Sequence, residues 1–198
     1  MRVRETEQLA LTLLKKHFPE YSGLTLSDKP DLIDPQKSIG VEVTRALNPK
    51  VEQRLRHVEE KMKNRDITEF SDEQIKKVEQ FGLHIVCKEQ PEEEKDKIVG
   101  MIRVFGLEEN EQLYIAIRKK YSKQYTKLKR LDLYVYFRHI CEGSWGTAEK
   151  EKVFSTAYEC QKQHGEVFEN IMIDFYSVLL IFDLKKHEIK EIPYEVYE

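Results

Sequence analysis

Cysteine is scarce and unpatterned in this chain. Cys87, Cys141 and Cys160 are odd in number, widely spaced and form no C-x-x-C pair, which argues against a disulfide framework and against a structural zinc site. They read as ordinary thiols. No run of about 18 apolar residues occurs, and Met1 to Glu7 is charged where a signal peptide would turn apolar. The expectation is a soluble, unexported protein with no membrane partner and the cytoplasm as its default location. Histidines stand at positions 17, 57, 84, 139, 164 and 187, and no two have the i,i+4 spacing of a helical metal pair, so a histidine-based zinc hydrolase is disfavoured. Cys141 lies two residues from His139 but without the orienting third group that a cysteine nucleophile needs. Phosphate-cradling loops of the G-x-x-x-x-G-K-[ST] or G-x-G-x-x-G kind are absent too, which argues against a nucleotide-hydrolysing or dinucleotide-binding module.

What is present is enough for a core. The chain has 198 residues and 40% hydrophobic composition, so one domain spanning 1–198 is expected, with an insertion around 65–110. Its formal net charge is -3, yet Arg118, Lys119, Lys120, Lys123, Lys127, Lys129 and Arg130 place seven positive charges between Gln112 and Leu131 with no acid among them. The rest of the chain therefore sums to -10. A concentrated basic helix on an otherwise acidic protein suits a phosphate-binding surface, because neutralised phosphates release counterions. A solvated helix face is the plainer reading. Arg118, Lys119, Lys123, Gln124 and Lys127 are the candidates for contact with nucleic acid, DNA foremost. Leu113, Ile117, Tyr121, Tyr125 and Leu128 fall on one helical stripe, so the two tyrosines read either as core or as stacking platforms.

Alternation and capping signals give the remaining elements. Residues 5–18 make a helix with Leu9, Leu13, Leu14 and Phe18 on one side. A second helix follows Pro49 through Val51, Leu55, Val58 and Met62. Ser71 to Phe81 is a short capped helix ended by Gly82, and Leu83 to Cys87 is a strand. The acidic loop from Lys88 to Lys97 reads as surface, and Ile98 to Phe105 fits neither period. Leu131 to Phe137 is a strand, Gly143 to Gly146 a loop, and Thr147 to Gln163 a helix. Val178 to Leu184 and Glu188 to Ile192 form a terminal hairpin. This mixed order predicts an α/β or α+β fold with a central mixed sheet flanked by helices.

The most informative stretch runs from Lys29 to Thr44. Pro30, Asp31, Leu32, Ile33 and Asp34 precede a turn at Pro35 to Ser38, and Ile39, Val41 and Val43 then alternate with Gly40, Glu42 and Thr44. On a strand the first three share one face, and Glu42 and Thr44 share the other. An unpaired carboxylate in an apolar strand costs several kcal/mol. Glu42 should therefore have a compensating charge, and a divalent cation shared with Asp31 is the sharpest candidate.

This arrangement resembles the PD-(D/E)XK nuclease superfamily, in which a Pro-Asp pair opens one strand and Glu-x-Lys lies on the next. Pro30, Asp31 and Glu42 match, and the helix, hairpin, helix order over roughly residues 1–60 is similar. Thr44 stands where the superfamily's lysine is expected. The resemblance implies a restriction-endonuclease-like core with a helical insertion and a Mg²⁺ or Mn²⁺ cofactor held by Asp31, Glu42 and the Val43 carbonyl. It also implies hydrolysis of DNA phosphodiesters, with Glu7 from the first helix as a further site acid and a homodimer left open. The lysine can come from another element, and Lys120, three positions beyond Ile117 on the edge of the core-facing side, is the residue that fits. The alternative is a catalytically inactive relative that binds nucleic acid or a protein partner.

Overall fold

In a computed structural model the chain is described over residues 3–46, 53, 57–58, 60–79, 83–88, 97–103, 107–125, 127–137, 146–175 and 177–194. The His139 and Cys141 pair, the loop from Lys88 to Lys97 (bar its two end residues) and most of the turn at Gly143 to Gly146 lie outside these residues. So does much of the helix expected after Pro49. The chain divides into two compact units, one comprising Met1–Ala46, Glu111–Arg138 and Trp145–Glu198, the other Leu47–Asn110 and His139–Ser144. The expected insertion at 65–110 falls in the second.

The first unit is built on a seven-stranded mixed sheet, which is the α+β class that the element order implied. Its strands are β1 (Thr25–Leu26), β2 (Leu32–Asp34), β3 (Ile39–Arg45), β6 (Arg130–Tyr136), β7 (Asn170–Phe175), β8 (Val178–Asp183) and β9 (Glu188–Pro193), in that spatial order. β3, β6 and β7 run parallel, and the flanking pairs are antiparallel. Parallel neighbours need crossovers, and helices supply them. The helices here are α1 (Val3–His17), α3 (Leu107–Tyr121), which belongs to this unit from Glu111 onward, and α4 (Thr147–His164).

Burial explains the layering. Leu113, Ala116, Ile117 and Tyr121 of α3 and Val153, Phe154, Ala157 and Cys160 of α4 pack on Leu131, Leu133, Val135, Ile171, Ile173, Leu180 and Phe182 of the sheet. α1 packs against β3 and buries Ala10, Leu13 and Leu14. A sheet covered by helices buries its central strands on both faces, and β6 and β7 accordingly show nearly unbroken burial. β7 lies outside the elements expected from the sequence.

α3 also departs from expectation. The apolar stripe was expected to continue through Tyr125 and Leu128, but the helix ends at Tyr121. Ser122 Oγ donates to the Lys119 carbonyl at 3.0 Å, and the chain then turns so that the Lys129 and Arg130 amides both reach the Ser38 carbonyl, at 3.0 and 3.3 Å. Those bonds set the register of β6 beside β3, in which Ile39 pairs with Arg130 and Glu42 with Leu133. A continued helix would forfeit that pairing.

The second unit has its own small core of Met62, Val78 and Ile98, with Val58, Ile67, Phe70, Ile85 and Cys87 packed on it. It contains α2 (Asp72–Glu79) and the antiparallel pair β4 (Leu83–Lys88) and β5 (Lys97–Arg103). The stretch read as ambiguous from Ile98 is thus a strand through Arg103. A capping box links Asp66 and Glu69, and Arg65 pairs with Glu69 at 2.7 Å.

Candidate functional site

Three neighbouring segments deliver the central cluster. β3 carries Glu42 into the sheet at 4% exposure. Because Glu42 pairs with Leu133 and Gly40 with Leu131, and paired residues share a face, Glu42 points to the side covered by α3. The loop before β2 sets Asp31: the Ser27 amide donates to the Asp31 carbonyl at 2.8 Å, and the Val43 amide donates to Asp31 Oδ2 at 2.7 Å. Gly40 lets this corner close, since a Cβ there would stand 2.5 Å from both Pro30 Cγ and Leu128 Cδ1.

The last turn of α3 brings the cation. Lys120 is 9% exposed, and its ammonium donates to Glu42 Oε1 at 2.6 Å and to the Val43 carbonyl at 2.8 Å, with Asp31 Oδ2 at 3.8 Å. A lysine is rarely buried unless paired, and here one ammonium meets two carboxylates and a carbonyl. Lys123, half exposed, lies 3.5 Å from Glu42 Oε1.

Electrostatics single out Asp31. Burial raises its carboxyl to about 6; the Val43 hydrogen bond and the Lys120 charge pull the other way, while Glu42 and, more weakly, Glu7 add to the rise. Glu7 on α1 is thus close enough for its charge to be felt at Asp31, and it is half-buried. Thr44, two residues beyond Glu42 on β3, is half-buried as well.

Tyr125 is the residue that sequence reasoning placed but did not assign to the cluster. Its hydroxyl donates to the Lys120 carbonyl at 2.9 Å. Burial, then the charges of Glu42 and Asp31, push its pKa far above the ordinary tyrosine value, so it remains a neutral donor. Its ring meets Phe168 edge to face, with centroids 5.5 Å apart. The signal that could have found it is its spacing: five residues past Lys120, it is out of helical phase with that lysine and needs a turn to reach it.

The basic segment splits. Lys123, Gln124 and Lys127 line an open groove of about 940 Å³. Arg118 and Lys119 lie on the exposed side of α3, outside that lining, and Arg118 pairs with Glu111 at 3.6 Å.

Among the described residues, Asp132 and Asp174 are buried carboxylates that sequence reasoning did not single out, and both are structural. Asp132 is fully buried yet accepts from Tyr21 Oη, Arg130 Nε and Asn170 Nδ2, each at 2.7 Å, and from the Asn170 amide at 3.1 Å. Asp174 accepts from the hydroxyls of Tyr134, at 2.5 Å, and Tyr194. Such saturated groups bind α1's following turn and the chain's end to the sheet.

A divalent cation is the group that Asp31 and Glu42 raise. Among the described residues no three or more His, Cys, Asp or Glu side chains gather to hold a metal. The donors available are two carboxylates and one backbone carbonyl, all hard oxygens of the kind that Mg²⁺ and Mn²⁺ take while keeping several waters. They converge on a positive charge, the Lys120 ammonium, which an ion taking the same oxygens would have to shift aside. The chain matches no family model, no curated protein and no solved structure.

Proposed function

We propose that this protein is a metal-dependent nuclease of the PD-(D/E)XK kind that hydrolyses phosphodiester bonds, DNA foremost. The observation that carries the reading is Lys120 Nζ at 2.6 Å from Glu42 Oε1 and 3.8 Å from Asp31 Oδ2. A helix supplies the lysine that position 44 lacks, and it does so at the two acids that the Pro-Asp and Glu-x-Thr pattern picked out.

Asp31, Glu42 and the Val43 carbonyl would hold Mg²⁺ or Mn²⁺, which would supply Lewis acidity toward a phosphoryl oxygen and acidify a water. The chain's own residues do the positioning. The Val43 amide fixes Asp31, so the two carboxylates are preset and need little reorganisation. Lys120 places its ammonium beside them, available to the negative charge that grows on the phosphate in the transition state. Tyr125 holds the end of α3 through the Lys120 carbonyl. Lys123, half exposed beside Glu42, meets the phosphate from the solvent side.

A second reading has an observation of its own. Lys120 alone neutralises much of the cluster, and with Thr44 on the strand this also suits an inactive member of the same fold that binds nucleic acid or a protein. Incubating labelled DNA and RNA, single- and double-stranded, with Mg²⁺ or Mn²⁺ decides between them. Cleavage that is lost in Glu42→Gln and in EDTA supports the nuclease; intact substrate under every condition supports the inactive relative.

A further inference from the structure

Beside the Asp31, Glu42 and Lys120 cluster the same unit holds a groove of about 940 Å³, floored by the segment that follows α3 and walled by the end of α4 and the approach to β7. Its lining includes five cations, Lys123, Lys127, Lys129, Arg130 and Lys185, against two carboxylates, Glu166 and Glu169. The two carboxylates do not cancel them evenly. Glu169 is taken up by Lys185 at 2.7 Å and lies 3.9 Å from Arg130, whereas Lys127 and Lys129 are exposed and have no ion-pair partner among the described residues. The groove also presents aromatic surface, the half-buried rings of Tyr125 and Tyr158.

Lys123 and Tyr125 belong to both places. Lys123 lines the groove and reaches Glu42 Oε1 at 3.5 Å; Tyr125 lines it and holds the Lys120 carbonyl. A chain lying in the groove therefore leads directly to the acids. The volume of about 940 Å³ is at the top of the range of about 300–1,000 Å³ for small-molecule pockets, room for a few nucleotides of one strand. Cations and rings occur together in the lining, Tyr125 between Lys123 and Lys127 and Tyr158 on α4, and a single strand uses both, cations for its phosphates and rings for its bases.

We propose that this groove is a subsite for single-stranded nucleic acid, which feeds one strand to Glu42 and Lys120 past Lys123. The proposal rests on the nuclease reading for its destination, but the groove's occupancy is measurable without catalysis. Fluorescence anisotropy of labelled oligonucleotides in EDTA, single-stranded against a duplex of the same length, is the experiment. The single strand should bind at least tenfold more tightly. Lys127→Ala with Lys129→Ala, both exposed and remote from the core, should weaken it at least fivefold and lower the salt-dependence slope by about 1.4, two phosphates at about 0.7 each. Equal or tighter duplex binding would overturn the proposal, as would an unchanged slope in the double variant or binding of acidic peptides in preference to oligonucleotides. Cleavage without single-strand preference would refute the groove and leave the nuclease; single-strand binding without cleavage would do the reverse.

Discussion

Replacing Asp31 with asparagine should stabilise the fold at neutral pH, and the size of the effect can be worked from its surroundings. Burial foremost, with Glu42 and Glu7 adding to it, raises the carboxyl from the ordinary 3.8 to about 6. Between about pH 4 and pH 6 the folded chain then binds more protons at this position than the unfolded chain does, so stability falls as pH rises through that window and stays lower above it. The full shift corresponds to about 3 kcal/mol, and screening by the solvent that reaches a side chain 18% exposed reduces it to about 1–2 kcal/mol. The asparagine would keep an acceptor for the Val43 amide without the charge. In metal-free buffer, urea unfolding of wild type and Asp31→Asn from pH 4 to pH 8 should therefore give similar stabilities at pH 4 and a variant about 1–2 kcal/mol more stable at pH 7.5. A variant less stable than wild type at pH 7.5, or a difference that does not change with pH, would refute the reasoning. A fold that gains stability when it loses a group keeps that group for another purpose.

Four further outcomes follow from the same geometry. Lys120→Met should lose about 3 kcal/mol in metal-free buffer, because it leaves the buried Glu42 with only the half-exposed Lys123 as its partner, and Mn²⁺ should recover part of the loss in a thermal melt if it binds at these oxygens. Mn²⁺ affinity measured by calorimetry should rise about tenfold per pH unit up to about pH 6 and flatten above it, since the ion requires the ionised Asp31. Gly40→Ala should cost about 1–3 kcal/mol by denaturation, with the ring of Pro30 and the Leu128 methyl forced apart. Asp132→Ala should cost about 3–5 kcal/mol, since Arg130 and Tyr21 would lose a fully buried partner, while leaving the metal response of the melting temperature intact.

Much of this was legible in the chain, and the parts that were not have physical causes. Ile39, Val41 and Val43 alternate because one face of β3 meets α1 and the other meets a buried charge, so the period-two pattern survived and set Glu42 apart. The position of Lys120 could be read because Leu113 and Ile117 fix which side of α3 meets the core, and a helix makes side chains three residues apart neighbours. β7 could not be read that way. Asn170, Ile171, Met172, Ile173 and Asp174 are all buried, so no alternation marks the strand, and Asp174 looks like a break until Tyr134 and Tyr194 are seen to satisfy it. The end of α3 at Tyr121 was equally silent, because no glycine or proline follows it. Long-range bonds from Lys129 and Arg130 to Ser38 end that helix, and local sequence cannot report them. The groove was half legible: Lys123, Gln124 and Lys127 were in view, but Lys185 and Tyr158 come from distant segments.

Single-turnover cleavage of an end-labelled single-stranded oligonucleotide in Mn²⁺, by wild type and by Lys120→Met shown to be folded under the same conditions, tests the central claim most directly. The expected result is cleavage by wild type and a rate at least about 10²-fold lower in the variant, with Mn²⁺ still bound at Asp31 and Glu42. Cleavage at the wild-type rate by Lys120→Met would contradict the role given to that lysine, and no cleavage by wild type with any metal or nucleic acid would contradict the nuclease itself.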